Sequence, residues 1–296
     1  MAATANNKPW LPYVLPMGVY LAFLTVQSNA NLAWLYPLKI IAVAATLLWF
    51  RRQYRELDGR RRLPVTHPCR REQRSATSPP EEGITEHDPL HRRGAGVGFP
   101  GHSALVSDPG RRVPVLPEML AAVAIGLAAI VIWVGLDPFY LKLDQLLTLL
   151  ERWLAVLWRG QTPPPPPTSA LSGPFDPFTL ASPTATWLFI GFRVFGAVVV
   201  VAFMEELFWR GFLIRWLIDE DFQKVPVGAF TWPSFAITVL MFGAEHNEWL
   251  PGLICGALYN GLLYWRRDLR GCVLAHAVSN AALAAWVLAR GDWKFW

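Results

Sequence analysis

The chain has 296 residues, 53% of them hydrophobic and only 17% charged, with 15 tryptophans and a mean hydropathy of +0.28. Soluble globular proteins carry roughly 25% charged residues, so this composition excludes an ordinary soluble enzyme and points to a polytopic membrane protein. The net charge of +5 is not a nucleic-acid signal, because the basic residues cluster beside apolar runs.

A span needs about 20 predominantly apolar residues. In chain order, 13–27 and 32–50 read as a tight pair of spans, and 119–136 is the clearest single one. Further candidates follow at 184–204, 232–246, 251–265 and 271–289. The predicted fold is all-α, a transmembrane helical bundle of about seven to eight spans. The nearly uncharged N-terminus, with no small-residue cleavage site after the first run, predicts that the first helix stays as an anchor.

Two segments interrupt the pattern and divide the chain into an N-terminal hairpin (1–50), a loop (51–115), a middle segment (116–183) and a C-terminal core (184–296). The loop holds 13 arginines and no lysine, with scattered Pro and Gly and no apolar periodicity, so it reads as disordered. The positive-inside rule places it, the N-terminus and the short basic loop 266–270 in the cytoplasm. In the middle segment, 139–158 has apolar residues at helical spacing with charges on one side, the pattern of an interfacial amphipathic helix. An eighth span is the rival reading of that stretch. Five consecutive prolines at 163–167 then form a stiff spacer. Three cysteines, Cys69, Cys255 and Cys272, have no metal-ligand spacing and offer no disulfide framework.

Charge at membrane depth is costly and marks function, and the C-terminal core carries three polar clusters. EELFWR (205–210) puts Glu206 and Arg210 at i,i+4 on one helix face, where they can pair, and turns Glu205 elsewhere. FGAEH (242–246) aligns Phe242 with His246, and HAVSN (276–280) aligns His276 with Asn280. Each cluster alone fits an interfacial ion pair or helix–helix hydrogen bonding. Together they can converge in one pocket.

The order and spacing of Glu-Glu-x3-Arg, Phe-x3-His and His-x3-Asn resemble the CPBP family of intramembrane proteases, the CAAX prenyl protease-like or Abi group. The Trp-rich, compact layout is also similar to the CAAX-protease-related proteins found alongside exosortase systems. The resemblance covers about residues 184–290. It implies a membrane-embedded endopeptidase acting on a membrane-associated protein or peptide, in a bacterial inner membrane. It assigns Glu205 as the base that activates water. Glu206 and Arg210 hold the helix and local charge, His246 orients the water, and His276 and Asn280 donate to the oxyanion. No cofactor is required on that reading. A rival chemistry places zinc on Glu205, His246 and His276. Two further alternatives are a non-catalytic scaffold or immunity-type partner-binding protein, and a transporter with a polar midplane site.

Glu245, directly before His246, departs from the family pattern, as does RRDLRGCVLAH (266–276) before the third motif. The topology also carries a conflict. A straight helix from Thr231 would take His246 about 22 Å deep, whereas His276 lies about 8 Å from the 266–270 side by the helical rise. The sequence therefore predicts a later start, a tilt or a break in that helix, near Pro233.

Overall fold

The computed structural model describes residues 8–30, 35–57, 115–160 and 175–295, and among them there is no strand. The main helices are α1 (Leu11–Ala30), α2 (Leu35–Phe50), α3 (Val115–Leu136) and α4 (Leu143–Arg159). They continue with α5 (Pro183–Trp216), α6 (Trp232–Ala244), α7 (Trp249–Arg266) and α8 (Leu269–Arg290). The proline run and most of the arginine-rich loop lie outside the described residues.

Among the described residues, three stretches are long and apolar enough to cross a bilayer: Met119–Trp158, Pro183–Trp216 and Leu269–Arg290. In the first, a 3-10 turn at Asp137–Phe139 and an extended Tyr140 separate α3 from α4. Helices α1, α2 and α6 are apolar but shorter. Large apolar side chains face outward, with Trp49 83% and Val131 71% exposed, while Glu206 is 0% and Arg210 1% exposed. An inverted distribution of this kind suits a lipid surround, and the chain is an integral membrane protein.

Small residues let the helices approach closely, as packing inside lipid requires. A Cβ added to Gly126 of α3 would fall 2.4 Å from the Ala275 carbonyl oxygen of α8. A Cβ added to Gly252 would sit 3.1 Å from the Cα of Gly243, so α6 and α7 nearly touch at their shared turn.

Helix α5 is the organising element. It runs through two π-helical stretches, Gly196–Val201 and Leu207–Leu213, on either side of Glu205 and Glu206. Such turns appear inside α-helices at functional sites. Helix α6 starts at Trp232, with Thr231 as its N-cap accepting from the Ser234 N–H and Pro233 in its first turn. The proline therefore opens this helix. The later start and the break near Pro233 expected from the sequence do not occur, because a first-turn proline forfeits no intrahelical hydrogen bond. At the other end α6 stops at Ala244, and His246 lies beyond it with its ring packed against Phe242 and Trp133.

Helix α4 is amphipathic and exposes Trp153, Leu157 and Trp158. Its N-terminal end clamps the α6–α7 turn. Leu143 N–H donates to the Asn247 carbonyl at 3.0 Å, Asp144 N–H to Asn247 Oδ1 at 3.1 Å, and Trp249 Nε1 to the Leu141 carbonyl at 2.8 Å.

The first residues of the arginine-rich segment depart from the disordered reading. Tyr54 is buried, and Arg55–Leu57 form a 3-10 turn. Tyr13 donates to Glu56 Oε2 at 2.7 Å, and Arg215 pairs with the same carboxylate through Oε1. These partners tie residues 54–57 to α1 and α5, so the core extends past position 50.

Candidate active site

The lower layer of the site is a buried hydrogen-bonded cluster around Arg210. Its NH1 donates to Glu206 Oε1 at 3.1 Å, its Nε to Asn260 Oδ1 at 3.0 Å and its NH2 to the Gly256 carbonyl at 3.3 Å. Asn260 passes the chain on, donating from Nδ2 to Thr238 Oγ1 at 2.9 Å, and Thr238 donates to the Ser234 carbonyl at 2.6 Å. The guanidinium also lies over the rings of Phe242, 4.5 Å from its centroid, and Tyr259, at 5.4 Å. A guanidinium can fill this role because its donors are fixed in one plane while its faces stay free for stacking. One side chain thus holds α5, α6 and α7 together.

Glu206 Oε1 also faces His276 Nδ1 at 2.8 Å. His276 stacks on Tyr259, with centroids 5.3 Å apart and planes at 25°. Tyr259 Oη shares a 2.7 Å hydrogen bond with Ser279 Oγ, which donates to the His276 carbonyl. The ring is therefore fixed in plane and direction, with Nδ1 towards Glu206 and Nε2 left for the space above.

That space is a cavity of about 610 Å³ lined by Glu205, Glu245, His246, His276 and Asn280, among others. Glu205 is 4% exposed and makes no hydrogen bond within the described residues. Its nearest basic atom is His276 Nε2, 3.9 Å from Oε2. A buried carboxylate without donors is costly, and water or a bound ligand is what would satisfy it. His246 Nδ1 lies 2.7 Å from the Phe242 carbonyl, which places the proton on Nδ1 and leaves the Nε2 lone pair free. The two histidines meet across one aromatic ring: Phe242 has its centroid 4.9 Å from His246 and 6.2 Å from His276. Asn280 Nδ2 donates at 2.8 Å to the Ala197 carbonyl, inside the first π-helical stretch of α5. One of its two amide N–H groups is thus engaged.

Several members of the site escaped the motif reading. Asn260, Thr238, Tyr259 and Ser279 complete the lower layer, and of these Asn260 had a usable signal as an amide inside an apolar run. Glu245 joins the cavity wall. Its Oε2 accepts from Trp209 Nε1 at 3.1 Å, and its Oε1 is buried without a partner. The cavity is also walled by Tyr20, Tyr36 and Lys39 of α1 and α2, for which no motif spoke.

Among the described residues, no three His, Cys, Asp or Glu side chains are grouped to hold an ion. Cys255 and Cys272 are free and buried in helix contacts.

Residues 186–282 match the family described as type II CAAX prenyl endopeptidase Rce1-like. No curated protein and no solved structure matches the chain.

Proposed function

We propose that the chain is an intramembrane endopeptidase of the CAAX-protease-like kind in which Glu205 activates the attacking water, a reading supported by the match of residues 186–282 to the Rce1-like family. The observation that carries this reading is a buried carboxylate with no hydrogen bond of its own, on the wall of a cavity shared with two histidines and an amide. Water held between Glu205 and the His246 Nε2 lone pair gives its proton to Glu205 and attacks the scissile carbonyl. The tetrahedral oxyanion takes hydrogen bonds from the second Asn280 N–H and from the His276 ring at Nε2. Glu205 then returns the proton to the leaving amine as the C–N bond breaks. Glu206 and Arg210 act one step back, fixing His276 and α5.

Seven helices span the membrane on this reading, with α4 at the outer interface and the 266–270 loop in the cytoplasm. A bacterial inner membrane suits the family. The substrate is a membrane-associated protein or peptide.

The test is cleavage of a co-expressed library of membrane-tethered reporters. Glu205→Gln keeps the shape and removes the base, so cleavage should fall by about 10²–10⁴-fold, with an unchanged size-exclusion profile in detergent. A folded Glu205→Gln protein that cuts at the wild-type rate would overturn the mechanism. A wild-type protein that cuts nothing yet retains a partner would favour the scaffold reading.

A further inference from the structure

Helix α2 contains one charged residue, Lys39, in the middle of LYPLKIIAVAATLLWF. The side chain is 2% exposed and lines the same cavity as Glu205 and His246. Among the described residues it has neither a hydrogen-bond nor an ion-pair partner. Two aromatic faces receive it instead: Nζ lies 4.6 Å from the ring centroid of Tyr20 and 4.8 Å from that of Tyr36. The Arg193 guanidinium of α5 also lies over Tyr36, at 4.8 Å, and lines the cavity.

Two positive groups around one tyrosine repel each other. Cation–π contacts return only part of the cost of taking an ammonium out of water. A charge kept at this depth is a functional feature by default, and what Lys39 lacks among the described residues is an anion. The cavity's own carboxylates do not supply it, since none of Glu205, Glu245 and Glu248 forms an ion pair with Lys39.

We propose that Lys39, with Arg193 beside it, is an anion-binding subsite that takes a carboxylate of the peptide substrate. That the carboxylate is a substrate's rests on the protease reading, which puts the scissile peptide in the cavity with Glu205. It assigns substrate selection to α2 and the start of α5. Lys39 itself lies outside the family-matched segment 186–282.

The experiment incubates full-length protein in detergent with a random library of lipid-anchored octapeptides, made with either a terminal carboxylate or a terminal carboxamide. Mass spectrometry reads both the members retained and the members cut. Wild-type and Glu205→Gln proteins should retain carboxylate-bearing members at least about tenfold over neutral ones. Lys39→Met should lose that preference, and Lys39→Arg should recover it. Selection by the terminal group shows as a difference between the two libraries, and selection by Asp or Glu side chains shows within the carboxamide library. Equal retention of charged and neutral members by wild-type protein overturns the proposal, whether or not Lys39→Met folds. So does a folded Lys39→Met protein that keeps the preference. Because retention does not need cleavage, a protein that selects carboxylates and cuts nothing removes the protease reading and leaves the subsite standing.

Discussion

Glu205 and Glu206 are neighbours on one helix, yet they belong to different regions. Glu206 faces the Arg210 cluster, where one of its oxygens meets a guanidinium and an imidazole. Glu205 faces the cavity and meets no donor within hydrogen-bonding distance. The lower region is a polar network with most of its partners supplied by three other helices, although Glu206 Oε2 is buried there without a partner among the described residues. The upper region presents free acceptors: the Glu205 carboxylate, the His246 Nε2 lone pair and one oxygen of Glu245. In a membrane interior the first arrangement holds helices together, whereas the second makes sense only when something else enters. The difference separates positions where a polar side chain is structural from those where it is available for chemistry.

The hardest way to break this comparison is at Arg210. Arg210→Met leaves Glu206 and Asn260 facing an apolar side chain in a sealed site, and removing one partner of a buried pair typically costs about 3–5 kcal/mol. Thermal unfolding in detergent should show a large drop, and cleavage should fall with it. Glu205→Gln should move stability little, because an amide is easier to bury than a carboxylate. If both substitutions lowered stability equally, the two regions would not be distinct. Glu206→Gln belongs with Arg210: it weakens the partners of Arg210 and His276, so folding and activity should decline together.

Asn260 is the sharper probe, because nothing in the motifs named it. Asn260→Leu fills similar space but strands Arg210 Nε and Thr238 Oγ1. An unsatisfied buried partner costs about 1–3 kcal/mol, and more beside a charge. The expected outcome is a loss of thermal stability smaller than that of Arg210→Met. The catalytic rate per folded molecule should hold within a fewfold. A loss of rate with stability intact would move Asn260 up into the reacting layer.

These residues also show how far the sequence could be read. The Glu206–Arg210 pair was legible because i,i+4 spacing in a helix determines which side chains meet. The apolar runs located the helices of the core, since lipid demands them. The two π-helical stretches in α5 had no signal, because they alter backbone hydrogen bonding without requiring special residues. They decide, even so, that the Ala197 carbonyl meets Asn280. Lys39 was hidden for another reason. A single lysine in a span gives no clue to whether it snorkels or turns inward, and only the packing of α2 against α1 and α5 settles that. The candidate span ran to position 246, whereas α6 ends at Ala244, where the clamp from α4 holds the following turn at long range.

Smaller in effect is the charged clasp at the rim, which calibrates the buried cluster. Asp137 pairs with Lys142 and, at 2.8 Å, with Lys294, in surroundings where its side chain is 14% exposed and that of Lys294 is 48% exposed. Partial burial pushes the Asp137 carboxyl up, and hydrogen bonds and charge from the two lysines outweigh this, so it stays below the usual carboxylate range. A depressed folded-state pKa contributes stability that is fully present above the unfolded value, about 3.9, and is lost as pH falls through the folded one. Water competes for both lysines, so the contribution at pH 7 should be at most about 1 kcal/mol. Asp137→Asn should therefore lower thermal stability slightly at pH 7. The gap to wild type should close as pH drops towards 3, and also shrink in high salt, which screens exposed charges. Differential scanning fluorimetry across pH and salt would measure both trends. A gap that persisted at low pH, or ignored salt, would mean that the rim clasp behaves like the Arg210 cluster, and burial would no longer distinguish the two.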